Sequence, residues 1–311
     1  MPRSHVEPKH RTPATPLAAL ACLMLFSLSC ASTLPRAPRA IPLRGLYVPN
    51  PQANRIGYIE EIIARGKPLG VNMLVLDAHP FMMHVYRMNP VVIDLCKREG
   101  FYLAARVVCF QNGLASLPVS EERLERLFTV IEAAAEAGFD EIQLDYIRFP
   151  DGPPYYSLAK KYEFIESILK RAKIVTDRNG KILSADLFGR VVFNRDDIIG
   201  QKIELFARYA GVIYPMLYPS HFSGDKRRLS HPGETVLEGT RNGISRVKGS
   251  GVMIHPFIQA FPYNIQWARV SLAEYVRLQI SAVERTEARG WVAWNPKGDY
   301  GAVFAALSQN Q

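Results

Sequence analysis

Apolar segments with a strand pattern alternate with amphipathic segments along the chain after residue 42, and this alternation limits the possible folds to very few. Strand candidates lie at residues 43–48, 72–77, 102–109, 141–147, 182–187, 211–217, 252–260 and 290–294. Helical patterns lie between them, most clearly at residues 55–66, 120–137, 157–176, 197–209 and 271–289. This order predicts an α/β fold, a single (β/α)8 TIM barrel over residues 43–307. An open doubly wound sheet is the alternative, but no glycine-rich phosphate turn follows the first strand.

The N-terminal segment has the pattern of an export signal. Three basic residues precede an apolar run at residues 17–28, which is too short to span a bilayer as a mature helix. The run ends in Ser-Leu-Ser-Cys-Ala, the pattern of a bacterial lipoprotein processing site with lipidation at Cys30. We therefore expect a signal peptide at residues 1–30, a tether at residues 31–42, and an exported protein anchored to a membrane of the bacterial cell envelope. An ordinary cleaved signal peptide is the alternative.

The charge balance restricts the partners of the chain only weakly. Its 311 residues carry a formal net charge of +9, which favours anionic partners but also serves solubility. The sequence contains no Lys/Arg run and no recognisable nucleic-acid module, so nucleic acid is not an expected partner.

The sequence predicts no metal site and no cofactor. Beyond the N-terminal segment the cysteines are Cys96 and Cys109, and their spacing fits no metal motif. They could pair in an oxidising compartment, but Cys109 lies in an apolar strand pattern typical of a buried free thiol. His79 and His84 have no third ligand at a useful spacing.

The fourth strand candidate combines an apolar face with a polar one. In the stretch 138–150, alternation places Ile142, Leu144 and Tyr146 on one face, and Glu141, Gln143 and Asp145 on the other. Both faces of a barrel strand are covered, so the polar face is expected to point into the barrel, with Asp145 near its catalytic end. Glu141 and Gln143 can be explained as residues that fill the barrel floor.

The C-terminal ends of the predicted strands bring further polar and aromatic side chains to one mouth. Candidate substrate-binding residues at these ends are Asp77, Arg106, Arg148, Tyr214, Tyr218, His221, Gln259, Trp294 and Asn295. Several have a simpler explanation: Asp77 could cap the next segment, Arg106 could pair with Asp77 or Asp145, and His221 could bond within its loop. Tyr214 and Tyr218 could fill the barrel, and Trp291 is expected in the core.

Two aspartates on neighbouring strands suggest the chemistry. Hydrolysis of a glycosidic bond requires one carboxyl group that protonates the leaving oxygen and a second that attacks the anomeric carbon or activates water. Asp145 on strand four and Asp186 on strand five fit this requirement, because adjacent strand ends place side chains roughly 5–10 Å apart. Two close carboxylates also separate each other's pKa values. The aromatic rings of Trp294, Tyr214 and Tyr218 could pack against a sugar.

Five motifs occur together and in order, at residues 138–150, 184–189, 199–201, 214–221 and 294–296. In this combination the chain, over about residues 43–300, resembles the bacterial "putative glycosyl hydrolase" domain family, TIM barrels allied to alpha-amylase-like and alpha-galactosidase-like enzymes. The resemblance implies a (β/α)8 barrel, glycoside chemistry and a nucleophile at Asp145. Asp186 falls where alpha-amylase-like enzymes keep their acid/base, although those enzymes have glutamate there. Alpha-galactosidase-like enzymes place an acid on strand six, where this chain has Tyr218 and His221.

Two departures from the family pattern affect the mouth. After Asp77 the family usually has a Lys-Asp pair, whereas this chain has Ala-His-Pro, and the stretch 110–113 lacks an expected aspartate. The sequence therefore predicts an exported glycoside hydrolase that acts on a poly- or oligosaccharide, with Asp145 and Asp186 as catalytic residues. The alternative is a catalytically inactive, glycan-binding surface lipoprotein. A barrel enzyme of other chemistry is less favoured, because no phosphate-binding glycine turn follows strand seven.

Overall fold

The computed structural model describes residues 42–309. The predicted signal peptide, the lipidation site at Cys30 and all but the last residue of the tether lie outside this range. Between residues 42 and 309, no helix is long and apolar enough to cross a membrane.

Parallel strands form a closed barrel, as the sequence predicts. The strands are β1 (Leu43–Val48), β2 (Met73–Asp77), β3 (Tyr102–Val108), β4 (Glu141–Asp145), β5 (Ile182–Phe188), β6 (Val212–Met216), β7 (Met253–Ile254), β8 (Phe257–Gln259) and β9 (Gly290–Trp294). Every pairing is parallel, in the order β5-β4-β3-β2-β1-β9-β8-β6, and a β5–β6 pairing closes the ring. The segments β7 and β8 together form the seventh strand of a (β/α)8 barrel.

The predicted seventh strand, 252–260, is interrupted in its middle. Its two halves are separated by His255 and Pro256. Proline has no backbone N–H to donate to a neighbouring strand, so regular pairing stops there. The ladder continues around the break, because His255 N–H donates to Ile213 O and Val292 N–H donates to Pro256 O, both at 3.0 Å.

Helices cover the outside of the barrel. They are α1 (Asn50–Ala53), α2 (Ile56–Gly66), α3 (Pro90–Arg98), α4 (Glu121–Glu136), α5 (Leu158–Arg178), α6 (Ile203–Phe206), α7 (Lys226–Ser230), α8 (Pro232–Arg246), α9 (Leu272–Glu284) and α10 (Gly301–Ser308). The long helix predicted at 197–209 is wrong, since only α6 is helical there. Asp197 forms a local turn, accepting a hydrogen bond from Ile199 N–H at 3.2 Å, and Gly200 has a left-handed φ of 77°.

The apolar core has two layers, one between the strands and the helices and one inside the barrel. On β4, Ile142 and Leu144 belong to the outer layer, which leaves Glu141, Gln143 and Asp145 for the interior, as the alternation predicts. Trp291 is buried in the outer layer, as expected.

Cys96 and Cys109 are both buried and free, which confirms the prediction for Cys109. Burial raises the pKa of the Cys96 thiol to about 12 and that of the Cys109 thiol well above its usual value.

Candidate active site

Arg106 lies at the centre of the polar mouth and joins two strand ends. It projects from β3 into the barrel and is almost completely buried. Its Nη1 donates to Asp77 Oδ1 at 2.5 Å, and its Nη2 donates to Asp145 Oδ2 at 2.5 Å. Its Nε lies 3.0 Å from the same Asp145 oxygen and 3.8 Å from Asp186 Oδ2. One guanidinium therefore pairs with Asp77 and Asp145 and approaches Asp186.

Asp77 is part of this ion-pair network rather than a cap of the following segment. Its second oxygen, Oδ2, accepts a hydrogen bond from the Tyr47 hydroxyl at 2.6 Å. Burial, followed by the negative charge of Asp77, raises the pKa of Tyr47 far above its usual value, so Tyr47 remains a donor. Both Asp77 oxygens are thereby used within the protein.

Asp145 is held at both of its oxygens. While Oδ2 receives the guanidinium, Oδ1 accepts the backbone N–H of Tyr146 at 2.5 Å. Tyr146 has a left-handed φ of 53°, a strained conformation for a bulky residue. Strain of this kind often marks a functional site. Here it turns the chain immediately after β4 and directs the N–H of Tyr146 at the carboxylate.

Asp186 projects inward from β5 and lies behind Asp145. Because Arg106 Nε approaches an oxygen of each carboxylate, those two oxygens are at most about 7 Å apart. Neither Asp186 oxygen accepts a hydrogen bond from a described residue, although the side chain is buried. Burial, followed by the negative charge of Asp145, raises the pKa of Asp186 well above its usual value. Burial thus favours the protonated form of Asp186.

Below these carboxylates, polar side chains fill the barrel interior. Glu141 is fully buried, with Oε2 accepting the Tyr102 hydroxyl at 3.0 Å, and burial raises its pKa to about 7. Polar atoms of Gln143, Tyr214 and His255 are buried and find no partner among residues 42–309. Buried polar atoms without a protein partner usually take internal water. Glu141 and Gln143 thus lie at the barrel floor, as their simpler explanation has it.

A cavity of about 570 Å³ opens above Asp145, within the size range of sites for small ligands. It is lined by Arg106, Asp145, Tyr146, Phe188, Gly189, Arg190, Met216, Tyr218, Ser220, His221, Phe222, Ser223, Tyr263 and Trp294. A larger cavity, about 900 Å³, lies beside Arg44 and Gly290, where β1 and β9 begin. In TIM barrels that end serves stability and the other serves catalysis, so the smaller cavity is the candidate active site.

The structure brings only some of the predicted site residues to this cavity. Of the predicted residues, those that line it are Asp145, Arg106, Tyr218, His221 and Trp294. Asp77, Asp186 and Tyr214 are buried inside the barrel and do not line the cavity. Gln259, Asn295 and Arg148 also lie outside the lining.

Gln259 and Asn295 use their amide groups to hold loops. The fully buried Gln259 accepts from Ser220 N–H at 3.1 Å and donates to Phe261 O at 3.0 Å and Tyr263 O at 2.8 Å. Asn295 donates to Ala260 O at 2.8 Å. These contacts connect the loops that follow β6 and β8, and thereby position cavity-lining residues.

Arg148 packs between aromatic rings instead of pairing with Asp145. Its guanidinium carbon lies 4.4 Å from the ring centre of Phe188 and 5.4 Å from that of Tyr146. Its Nη1 donates to Phe149 O at 3.1 Å. Arg148 therefore supports two residues of the cavity wall.

Stacked aromatic rings form the wall opposite Asp145. Tyr47 and Trp294 stack with ring centres 3.7 Å apart and planes 15° apart. Arg106 lies over both rings, with its guanidinium carbon 4.9 Å from the centre of Trp294. Trp294 also packs against Phe257, with ring centres 5.7 Å apart, and it lines the cavity.

Several lining residues were missed by the sequence reasoning. Tyr146 was predicted on the apolar face of strand four, but its left-handed φ of 53° ends the alternation after Asp145 and it lines the cavity. Phe188, Arg190 and Tyr263 were not among the predicted residues. Gly189 carried a usable signal, because a Cβ there would lie 2.3 Å from Met216 O. Only glycine allows this close approach of the β5 and β6 ends.

The described residues contain no group of three or more His, Cys, Asp or Glu side chains that could hold a metal ion. His79 and His84 instead hold a loop. His79 Nε2 accepts from Val108 N–H at 3.0 Å, and His84 Nε2 donates to Val108 O at 2.8 Å. Burial lowers the pKa of both rings, in agreement with their neutral roles.

A family model described as "Putative glycosyl hydrolase domain" matches residues 116–300, more than half of the chain. The chain belongs to this family. The glycoside hydrolase class predicted from the sequence is thereby confirmed. The narrower affiliation with alpha-amylase-like and alpha-galactosidase-like enzymes stays a prediction. No curated protein matches the sequence.

Solved structures with a similar fold include several glycoside hydrolases. The glycoside hydrolase domain of PgaB (BpsB) from Bordetella bronchiseptica is 13% identical, with a TM-score of 0.63 over 86% of this chain and 98% of that one. The endo-β-1,4-mannanase from Thermotoga petrophila is 11% identical, with a TM-score of 0.63 over 88% and 76%. The spore cortex-lytic enzyme SleL from Bacillus megaterium is 12% identical, with a TM-score of 0.57 over 88% and 75%. At these identities the likeness shows the fold alone.

Proposed function

We propose that this family member is an exported glycoside hydrolase that cleaves a poly- or oligosaccharide at the C-terminal mouth of the barrel. The observation that carries the proposal is the pairing of Asp145, which lines the cavity, with Arg106, next to the buried Asp186, whose pKa is raised by burial. Two carboxyl groups in different protonation states are what glycoside hydrolysis requires.

Asp145 is the proposed nucleophile, or the carboxylate that stabilises the oxocarbenium-like transition state. Its contacts with Arg106 and with Tyr146 N–H fix its orientation towards the cavity. Such preorganised contacts stabilise developing charge without reorganisation during the reaction. The wall formed by Trp294 would hold the sugar ring above it.

Asp186 is the proposed source of the proton for the leaving oxygen. Because Asp186 does not line the cavity, an intermediary must carry this proton. A water molecule beside Tyr218, which lines the cavity, is the proposed carrier, because the buried Asp186 oxygens and the Tyr218 hydroxyl have no hydrogen-bond partner among the described residues and such atoms usually take water. Burial, followed by the charges of Asp186 and Asp145, raises the pKa of Tyr218 well above its usual value, so its hydroxyl remains a donor that would orient this water.

The proposed location is the bacterial cell envelope, with a lipid anchor on Cys30. The support is the sequence pattern alone: a basic start, an apolar run and small residues before a cysteine. Globomycin treatment of expressing cells, followed by mass spectrometry of the N-terminal peptide, tests it. A diacylglyceryl group on Cys30 is the expected finding, and an unmodified Cys30 or a cut elsewhere would overturn it.

Reducing-sugar release tests the activity. The wild-type chain is incubated with mannan, chitin, peptidoglycan and an acidic polysaccharide, since structures with a similar fold include a mannanase, a chitinase and a cortex-lytic enzyme. We expect release from one member, and a loss of at least about a thousandfold in Asp145→Asn. Asp94→Asn, an exposed carboxylate on α3, is the matched control. Full activity of Asp145→Asn would refute the assignment.

A catalytically inactive glycan-binding protein is the second candidate. The observation that favours it is that Asp145 is the sole carboxylate among the lining residues, with Asp186 behind it. This candidate predicts saturable binding to one polysaccharide without any product, and binding that survives Asp186→Asn.

A further inference from the structure

The exposed aromatic residues of the described chain are concentrated on the catalytic face of the barrel. Among its large exposed apolar side chains, the aromatic ones are Phe81, Tyr155, Tyr263 and Trp267. Each lies on a loop that follows a strand: β2 for Phe81, β4 for Tyr155, and β8 for Tyr263 and Trp267. Single exposed apolar residues are normal, but their restriction to the functional face of the fold indicates binding.

Two of these loops reach the cavity from different sides of the mouth. Tyr263 lines the cavity directly. Phe81 packs edge-on against Tyr146, another lining residue, with ring centres 5.5 Å apart. Around the barrel, β2 and β8 are separated by β1 and β9 on one side and by four strands on the other. Exposed rings therefore flank the cavity at two separate positions.

Both loops are held in place by buried polar contacts. Gln259 binds the backbone of Tyr263, and His79 bonds through Nδ1 to Met83 O at 2.7 Å. The short turn that carries Trp267 is bracketed by Asn264 and Arg269, both with left-handed φ values, 56° and 54°. Left-handed non-glycine residues are strained and persist where the surroundings require that shape. Trp267 is thus presented to solvent by a constrained turn.

We propose that Phe81, Tyr263 and Trp267 form an aromatic rim that binds a glycan chain extending beyond the cavity on both sides. The enzyme then cleaves internal linkages of a polymer rather than removing sugars from its end. This proposal rests on the proposed glycoside hydrolase function. The apolar faces of pyranose rings pack on flat aromatic side chains, and their hydroxyls stay in water, which suits rings that are separate and exposed.

The test measures polymer binding and cleavage pattern separately. The full chain, its Phe81→Ala and Trp267→Ala variants, and Asp145→Asn are run in native gels that contain soluble mannan, glycol chitin or carboxymethyl cellulose. The same proteins are assayed on these polymers for viscosity loss per reducing end, and on p-nitrophenyl disaccharides. Ile174→Ala, an exposed apolar residue on α5 away from the mouth, is the matched control. Thermal unfolding monitors the fold of each variant.

We expect one polymer to retard the wild-type chain, Asp145→Asn and Ile174→Ala alike. Phe81→Ala and Trp267→Ala should each weaken that binding by about tenfold, and lower kcat/KM for the polymer more than for the disaccharide. Viscosity should fall early, when few reducing ends have formed.

Two results would overturn the rim. In the first, no polymer in the native gel retards the protein, even if a disaccharide is cleaved. The other is polymer binding that both rim variants retain, which would assign the exposed rings to a protein or lipid contact. Failure of the proposed function is a different result: cleavage that survives Asp145→Asn, or polymer binding lost with the rim although nothing is cleaved.

Discussion

The buried polar groups on the two sides of the barrel interior differ in their hydrogen-bond and ion-pair partners. On the side of β1 to β3, Tyr47, Asp77 and Arg106 are joined with Asp145 in one network of short contacts. On the side of β4 to β7, the buried polar atoms of Gln143, Asp186, Tyr214 and His255 have no partner among the described residues. We call these the paired side and the unpaired side.

Because of this difference, charged side chains lie on the paired side, and burial favours neutral side chains on the unpaired side. A buried charge is tolerated only beside an opposite charge, and the paired side provides Arg106 between two carboxylates. On the unpaired side burial favours neutral forms, so the pKa of Glu141 and Asp186 is raised and that of His255 is lowered. The two sides meet at Asp145 and Asp186, the proposed catalytic pair, and a glycosidase requires one charged and one protonated carboxyl group.

Replacing Arg106, the cation of the paired side, should destabilise the folded protein. Arg106→Met leaves two buried carboxylates without their partner, and we expect a loss of about 3–5 kcal/mol in the free energy of unfolding, together with loss of activity. Urea denaturation at neutral pH measures it. Arg65→Met, which removes an exposed pair with Glu61, should cost less than about 1 kcal/mol. Similar losses in the two variants would mean that the buried network stabilises the fold no more than an exposed ion pair does.

Replacing Glu141, on the unpaired side, by a neutral residue should remove a pH dependence of the protein's stability. Its pKa is about 7 in the folded protein against 4.5 as the ordinary value, so between these pH values the folded state binds the extra proton. Its contribution to stability is therefore complete below about pH 4.5 and is lost as the pH rises through 7. The free energy of unfolding of Glu141→Gln should exceed that of the wild type by about 2–3 kcal/mol at pH 8, and by little at pH 5. A difference that does not change with pH would contradict this.

His255 should give the opposite pH dependence and a smaller effect. Burial lowers its pKa from 6.5 to about 3, so below pH 6.5 the unfolded state binds the extra proton. Its stability contribution is complete above pH 6.5 and is lost as the pH falls towards 3. His255→Leu, which abolishes this loss, should be more stable than the wild type by about 2 kcal/mol at pH 5 and by less at pH 7.5. Thermal melts at the two pH values measure the difference, and a larger gain at pH 7.5 would reject this account.

The sequence predicted the barrel because its signals are local. Seven of the eight strand predictions match the observed strands to within two residues at each end, and the eighth is broken at Pro256. The prediction of a helix at 197–209 was wrong because it relied on apolar periodicity alone. Asp197 and Gly200 form a turn there instead. The helices α3 and α8 were not singled out, although their apolar residues recur at helical spacing as clearly as those of α4, α5 and α9.

The sequence alone determined the alternation of strands and helices, the inward polar face of β4, and the arrival of several carboxylates at one end of the barrel. These follow from periodicity and from parallel topology, which sends every strand end to the same mouth. Only the tertiary structure decided that Arg106 pairs with Asp77 and Asp145, residues 29 and 39 positions away, and that Asp186 lies behind the cavity without a donor. Pairing and burial depend on distant side chains meeting in space, and local sequence patterns carry no record of those distances.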